Sequence, residues 1–306
     1  MKKVLFVGDI NVDVMMGGLE SEPIVDREIT CTSYEVKMGS TAVVCACAYA
    51  ALGGEAALAG LAGNDEYGAF MLRGLAERNV NTELVRRTGK VKTGVTVNLI
   101  HGKNRTQVTY PGTIAEFGPE HIDEAALEAF DHIHFAGPYL QTRLRPHITR
   151  WLQHADARGA TTSLDPQWDS AETWEFMQEW CPLLSYLFVN TDEARSITEA
   201  GSPEQACRKL AARTLCPVVK AGEQGCLVSV DGAVRTIPAK KVQIVDTTGA
   251  GDCFDAAVLY AQLERGMALE EAVAFANAAG ARSCLFVGGV DARSSYEDVI
   301  RFMRRT

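Results

Sequence analysis

Short apolar runs alternate with amphipathic segments along almost the whole chain, and this alternation restricts the fold more than any other feature. Runs of strand length lie at 4–7 (VLFV), 56–61, 132–136 (HIHFA), 160–164, 186–189 (YLFV), 217–220 (PVVK) and 226–230. Segments with helical periodicity lie among them, at about 41–52, 64–79, 123–129, 145–157, 203–213, 252–265 and 270–285. Apolar strands separated by helices imply a mostly parallel sheet covered on both faces. Residues 14–37 and 91–112 depart from the pattern. They alternate with period two, as in VKTGVTVNLI and RTQVTY, with a turn at His101-Gly102-Lys103-Asn104. These two excursions read as antiparallel ribbon, a small β lid on an α/β core made of 1–13, 38–90 and 113–306. Such a lid suits chemistry that water would spoil.

The charge balance narrows the partners. A net charge of -9 argues against a nucleic acid or an anionic membrane, because phosphates attract clusters of Lys and Arg. The nine cysteines include no CxxC pair, so buried thiols in a reducing cytoplasm fit better than disulfides or a zinc site. Asp9 and Asp13 interrupt the first apolar run, which reads as a strand and not as a signal segment. Residues 41–63 are nearly all apolar, but Gly53, Gly54 and Glu55 divide them into a helix and a strand.

VDTTGAGDCFDAAVLYAQLERG (245–266) carries the sharpest local signal. If VQIV (242–245) is a strand and 252–265 a helix, the glycines stand at a helix N-terminus. Free amides and the positive end of the helix dipole then form an anion site, and small residues let an anion reach the backbone. Asp252 falls in the first helical turn, where it is either an acid that complements the dipole or a general base beside a phosphate cradle. Rival phosphate motifs fail. Gly89-Lys90 and Gly102-Lys103 lack the Ser or Thr of a Walker loop, and neither GDINVD nor Gly249-Ala250-Gly251 completes GxGxxG. That weighs against a nicotinamide oxidoreductase. Of the six histidines only His132 and His134 share a strand face, with no third ligand, so they read as structural.

DTTGAGD (246–252), the first-strand segment GDINVD, KMGSTAVVCACAYAALGG (37–54), VNTDEA with Asn190 and Glu193, KAGEQG (220–225) and ANAAGARSCLFVGG occur in the order found in one family. Together they resemble the ribokinase-like (PfkB) carbohydrate kinases over nearly the whole chain. The resemblance implies a three-layer α/β/α core with a β-sheet lid and an ATP-dependent kinase. Asp252 would take the proton of an acceptor hydroxyl, and the amides of Gly249, Ala250 and Gly251 would hold the developing charge. Asn11 and Asp13, two residues apart on one side of a strand, would bind neighbouring hydroxyls of a sugar or sugar-like acceptor. Gly39, Ser40, Arg105 and Gln141 are further acceptor candidates, with Tyr110 a weaker one. Two departures concern the acceptor: the usual glycine pair is Gly39-Ser40, and the usual asparagine is Val44. No lysine follows Gly39, which points to an unphosphorylated acceptor.

The resemblance places Asn190 and Glu193 in the water shell of Mg²⁺. Lys220, Gly222, Gly225 and Asn277 would line the nucleotide path, with Lys220 alternatively an ion-pair residue at a strand end. Asp246, with carbonyls of Thr248, Cys284 and Gly289, would hold K⁺, or else Asp246 bonds the turn's own amides. A nucleoside acceptor is the alternative within the same chemistry, with Phe135, Tyr139 and Trp168 as a slot for a base. A non-catalytic sugar- or nucleotide-binding protein on the same fold is the alternative outside it. The lid strands could pair with a second copy to give a homodimer.

Overall fold

The computed structural model describes residues 1–102, 104–291 and 294–304. Lys103, in the expected ribbon turn, lies outside them. The first half of the chain forms β1 (Lys3–Val7), β2 (Asn11–Gly17), β3 (Ser33–Met38), α1 (Thr41–Ala51), β4 (Glu55–Gly63), α2 (Glu66–Ala76), β5 (Val85–Thr88), β6 (Gly94–His101), β7 (Asn104–Tyr110) and α3 (Thr113–Glu116). The second half forms β8 (His132–Ala136), α4 (Ile148–Ala157), β9 (Thr161–Asp165), α5 (Met177–Trp180), β10 (Tyr186–Asn190), α6 (Thr191–Thr198), α7 (Pro203–Ala211), β11 (Cys216–Lys220), β12 (Cys226–Val230), β13 (Ala233–Ile237), α8 (Ala250–Leu263), α9 (Leu269–Ser283) and α10 (Tyr296–Arg304).

The main sheet runs β13-β12-β11-β10-β9-β8-β1-β4-β5, parallel from β5 to β11 and antiparallel at β12 and β13. β1 shows why it is buried on both faces. Val4 and Phe6 pack with α1, α8 and α9 on one side, and Leu5 and Val7 pack with Phe135, Trp151 and Leu152 on the other. Alternate side chains of one strand thus feed two cores, which makes the three layers α/β/α. The apolar stretch 41–63 divides into α1 and β4, and no helix among the described residues is long and apolar enough to cross a membrane.

The two ribbons form a separate sheet of order β3-β2-β6-β7. The β2–β3 and β6–β7 pairs are antiparallel, as the alternation implies, but they join through a parallel β2–β6 pair. β2 begins at Asn11, so Asn11 and Asp13 stand on the small sheet and not at the end of the first core strand.

β5, β13, α6 and α10 are not among the expected elements, and three expected segments take another form. Val242–Val245 is not a strand: the amides of Val245 and Asp246 both donate to the carbonyl of Cys284, so the segment lies along the end of α9. The segment at 123–129 forms a short 3₁₀ turn over Ala125–Ala129, in which only Leu127 is buried. Residues 145–147 form a separate 3₁₀ turn before α4, with Pro146 near its start.

Gly225 turns the chain from β11 into β12 at φ 99°, and a Cβ there would lie 2.0 Å from the carbonyl oxygen of Ile237. Gly225→Ala is therefore expected to lower unfolding free energy by about 1–3 kcal/mol from the backbone conformation alone, before any clash. Urea denaturation checks it, and an unchanged midpoint would contradict the geometry.

Candidate active site

Asp165, Asn190 and Lys220 close the C-terminal ends of the neighbouring parallel strands β9, β10 and β11. Ligands of open parallel sheets bind at this edge. α8 begins there too. Its N-cap, Gly249, has φ 74°, and a Cβ on it would lie 2.6 Å from the Cα of Gly289, so turn and loop meet backbone to backbone. Asp246 ties the two together. Its Oδ1 accepts from the amide and hydroxyl of Thr248 at 2.9 and 2.8 Å, and its Oδ2 accepts from the amide of Gly288 at 2.9 Å. Burial opposes ionisation of Asp246, but these donors hold its pKa below the usual carboxylate range.

The turn stands between two cavities. One, of about 680 Å³, is lined by Gly249 and Asp252 together with Asn11, Asp13, Gly39, Ser40 and Arg105. The other, of about 720 Å³, is lined by Ala250 and Gly251 together with Lys220, Gly222, Gly225 and Asn277. Thr247 borders both. The expected acceptor and nucleotide residues thus separate largely onto the two sides of a single helix N-terminus.

One face of the small sheet roofs the first cavity. Asn11, Asp13 and Met15 of β2 and Arg105, Gln107 and Thr109 of β7 line it at period two. The opposite face of β2 packs Val12 and Val14 into the core. Asn11 Nδ2 donates to Asp13 Oδ1 at 3.4 Å and to Thr96 Oγ1 at 3.2 Å. A Cβ on Gly39 would stand 2.7 Å from Asp13 Cγ, so the glycine makes room for this carboxylate. Ser40 Oγ lies 2.5 Å from the Asp9 carbonyl and 3.0 Å from Asp9 Oδ1, which turns the hydroxyl toward Asp9. Arg105 Nη1 donates to Thr248 Oγ1 at 3.2 Å, bridging the small sheet and the glycine turn.

Some expected residues do other work. Gln141 is buried and donates to the carbonyls of Ala136 and Gly137 at 2.7 and 3.1 Å, so it secures the end of β8 and lines neither cavity. Phe135 stacks on Trp151 and Tyr139 packs edge-on against Trp174, both buried, so they form no slot for a base. Trp168 packs edge-on against Trp174 and remains 43% exposed. Tyr110 is exposed and lines neither cavity. Asn277 borders the second cavity while donating to the carbonyls of Ile237 and Pro238 at 2.9 and 3.2 Å. Cys284 borders the second cavity and Gly289 the first. His132 and His134 form a buried ladder with Thr161 and Ser163, and burial pushes both pKa values down.

Asn190 is the N-cap of α6. Its Oδ1 accepts from the amides of Asp192 and Glu193, both at 2.9 Å, and Glu193 Oε2 accepts from the amide of Asn190 at 2.8 Å. Asn190 reaches the first cavity, while Glu193 is buried behind it. Burial, reinforced by Asp165 and opposed by Lys220, raises the pKa of Glu193 to about 7.

Asp252 is partly exposed to the first cavity, yet protein crowds its carboxylate. That desolvation comes first in raising its pKa to about 8; Asp165 adds to it, Lys220 opposes it, and Asp9 and Asp13 contribute further. Burial likewise takes Asp9 and Asp13 to about 6. The sequence reading passed over Asp9, Asp165, Gln167 and Asp255. Asp9 and Asp165 close apolar runs at strand ends, which is the available signal, whereas Asp255 falls within an apolar helix face.

The sequence matches the model of the pfkB family of carbohydrate kinases over residues 1–293. It is 30% identical over 297 residues to an ATP-dependent ribose-1-phosphate kinase of Halopiger xanaduensis, covering 96% of this chain and 95% of that one. It is 26% identical over 305 residues to a ribokinase of Bacillus subtilis, covering 98% and 100%. A putative ribokinase II from E. coli in its apo form superposes with a TM-score of 0.90 at 21% identity, covering 100% of both chains. An Arabidopsis thaliana ribokinase complexed with ribose and ATP superposes with a TM-score of 0.87 at 22% identity, covering 100% and 99%. The fold is ribokinase-like.

The raised pKa of Asp252 has a consequence for stability. The native state holds this proton up to about pH 8, whereas the unfolded chain releases it near pH 4, so the group's contribution fades as pH rises between the two. Asp252→Asn removes that dependence. The variant should match the parent in melting temperature near pH 4 and exceed it near pH 8 by about 2–4 °C, the shift that ~1 kcal/mol gives in a chain of this size. Calorimetry at both pH values checks the sign.

Proposed function

This chain belongs to the pfkB family of carbohydrate kinases and is a phosphotransferase with an alcohol group as acceptor, and from that premise we propose that it moves the γ-phosphoryl group of ATP to a hydroxyl of a sugar, with Asp252 as general base. The observation that carries this reading is the place of the α8 N-terminus. Asp252 borders the cavity with the paired Asn11 and Asp13, and Gly251 borders the cavity with Lys220 and Asn277. A hydroxyl on one side and a phosphoryl group on the other can meet only across this turn.

Asn11 and Asp13 hold two neighbouring hydroxyls of the acceptor and leave a third facing Asp252. The carboxylate of Asp252 takes that hydroxyl's proton as the acceptor oxygen bonds to the γ-phosphorus, and the bond to the β–γ bridging oxygen breaks to release ADP. The unpaired amides of the first turn, on Gly251 and Asp252, meet the charge on the phosphoryl oxygens. The small sheet, linked to the turn by Arg105 and Thr248, keeps water from the site.

The residues present fit the implied cations. Glu193 keeps one carboxylate oxygen outside its cap, and burial together with Asp165 raises its pKa although Lys220 opposes it, so a further cation would stabilise the carboxylate there. Asn190 and Glu193 would hold hydrated Mg²⁺ through water, and the ion would neutralise phosphate charge. Asp246 is ionised, and with the carbonyls of Thr248, Cys284 and Gly289 it offers the oxygen donors that K⁺ takes. Its hydrogen bonds to Thr248 and Gly288 already tie the turn to the loop.

A second reading, a phosphorylated pentose as acceptor, is favoured by Arg105. This guanidinium lines the acceptor cavity and has no carboxylate within ion-pair distance among the described residues. The Halopiger xanaduensis relative, named for ribose-1-phosphate, is consistent with it.

ATP consumption with Mg²⁺, with and without K⁺, across pentoses, hexoses, pentose phosphates, sugar acids, polyols and nucleosides tests the proposal. At least one polyhydroxy acceptor should turn over. Asp252→Asn should lower kcat by about 10²–10⁴-fold while nucleotide binding persists. In the parent, kcat/KM should climb with pH as Asp252 loses its proton and level off above about 8. Binding without turnover for every acceptor would favour a sensor, and full activity in Asp252→Asn would remove the base.

A further inference from the structure

Lys220 is partly buried at the end of β11 and pairs with two acids other than Asp252. Its Nζ lies 2.9 Å from Asp165 Oδ2 and 3.1 and 2.9 Å from the two oxygens of Asp255. The side chains of Lys220, Asp165 and Asp255 are 16%, 6% and 0% exposed. Burial alone would strip the ammonium of its proton, but the facing carboxylates of Asp165 and Asp255 hold its pKa well above the usual range.

The three groups come from three elements. Asp165 ends β9, Lys220 ends β11, and Asp255 lies one helical turn beyond Asp252 on α8. An ammonium has three donors in a compact head, so it can bridge carboxylates that face each other across a gap. It also sits against the start of the helix: a Cβ on Gly251 would stand 3.3 Å from Nζ. The ion-pair cluster therefore meets α8 at the turn that separates the two cavities.

We propose that Lys220 is a positioning residue for phosphoryl transfer: clamped between Asp165 and Asp255, it fixes the first turn of α8, and with it the Asp252 carboxylate and the Gly251 amide, against the strand ends. The proposal rests on the reading of Asp252 as the base. It separates Lys220 from a simple wall of the nucleotide cavity, because the effect falls on the chemical step and not on ATP binding. A displacement of about 1 Å at such a turn can cost 10²-fold in rate.

Removing the lysine alone leaves two buried carboxylates facing each other, which is strongly destabilising and can prevent folding. The test therefore pairs Lys220→Met with the charge-free triple variant Lys220→Met, Asp165→Asn, Asp255→Asn, and adds Lys220→Arg, whose guanidinium can still bridge both acids. Melting temperature, kcat and the two KM values are measured with ATP and the acceptor turned over fastest by the parent. The triple variant should recover folding but keep kcat about 30–100-fold below the parent, with both KM values within about threefold. Lys220→Arg should restore part of that kcat. A triple variant with parental kcat would overturn the proposal, and so would a loss confined to the KM for ATP. Asp252→Asn is assayed alongside: if it is inactive while the triple variant is fully active, the base stands and the positioning role falls. If Asp252→Asn is fully active, the underlying reading falls first.

Discussion

Negative charge crowded around the start of α8 is the constraint on which the site depends. Asp9, Asp13, Asp165, Glu193, Asp252 and Asp255 all lie buried or partly buried at one edge of the sheet, and the partly buried ammonium of Lys220 pairs with two of them. Such an arrangement is expensive in a low dielectric. It persists because most of the acids have a local device. Ser40 contacts Asp9, Asn11 donates to Asp13, the amide of Asn190 donates to Glu193, and Lys220 spans Asp165 and Asp255. The Asp252 carboxylate accepts no hydrogen bond among the described residues, and burial, first among the causes, raises its pKa to about 8.

The parallel sheet brings these groups together. In a βαβ arrangement every strand ends on the same edge, so side chains distant in sequence become neighbours without any long irregular segment. Asn190 and Lys220 are register partners on β10 and β11, and Asp165 ends the strand next to β10. α8 then lays its N-terminus across this edge, and the Gly249–Gly289 approach lets turn and loop touch through backbone.

Much of this was legible from the residues. Apolar runs marked the main-sheet strands except β5 and β13, which are short and carry several polar residues, and the glycines before an apolar helix marked the turn that opens α8. The pair Asn11 and Asp13 was visible as period two, although its strand belongs to the small sheet. What stayed hidden depended on tertiary geometry. Asp255 sits among Cys253, Phe254, Ala256 and Ala257, so helical periodicity alone assigns it to the core, and only the arrival of Lys220 from another strand gives it a role. Gln141 follows an apolar strand as a binding residue would, yet its amide turns inward to the carbonyls of Ala136 and Gly137. VQIV has strand composition, but its last amide and that of Asp246 both go to Cys284 at the end of α9, so no ladder can form there.

The two halves of the site tolerate change very differently. Lys220, Asp165 and Asp255 are packed among elements on several sides, and losing the lysine strands two carboxylates without their shared cation. β7, by contrast, is an outer strand of the small sheet, exposed along its whole length, and Arg105, Gln107 and Thr109 reach the first cavity from it. Substitutions on such a strand cost little in folding, because few side chains pack on them. The ion-pair cluster beside α8 is therefore held where the fold is least forgiving, and one wall of the first cavity is carried where it is most forgiving.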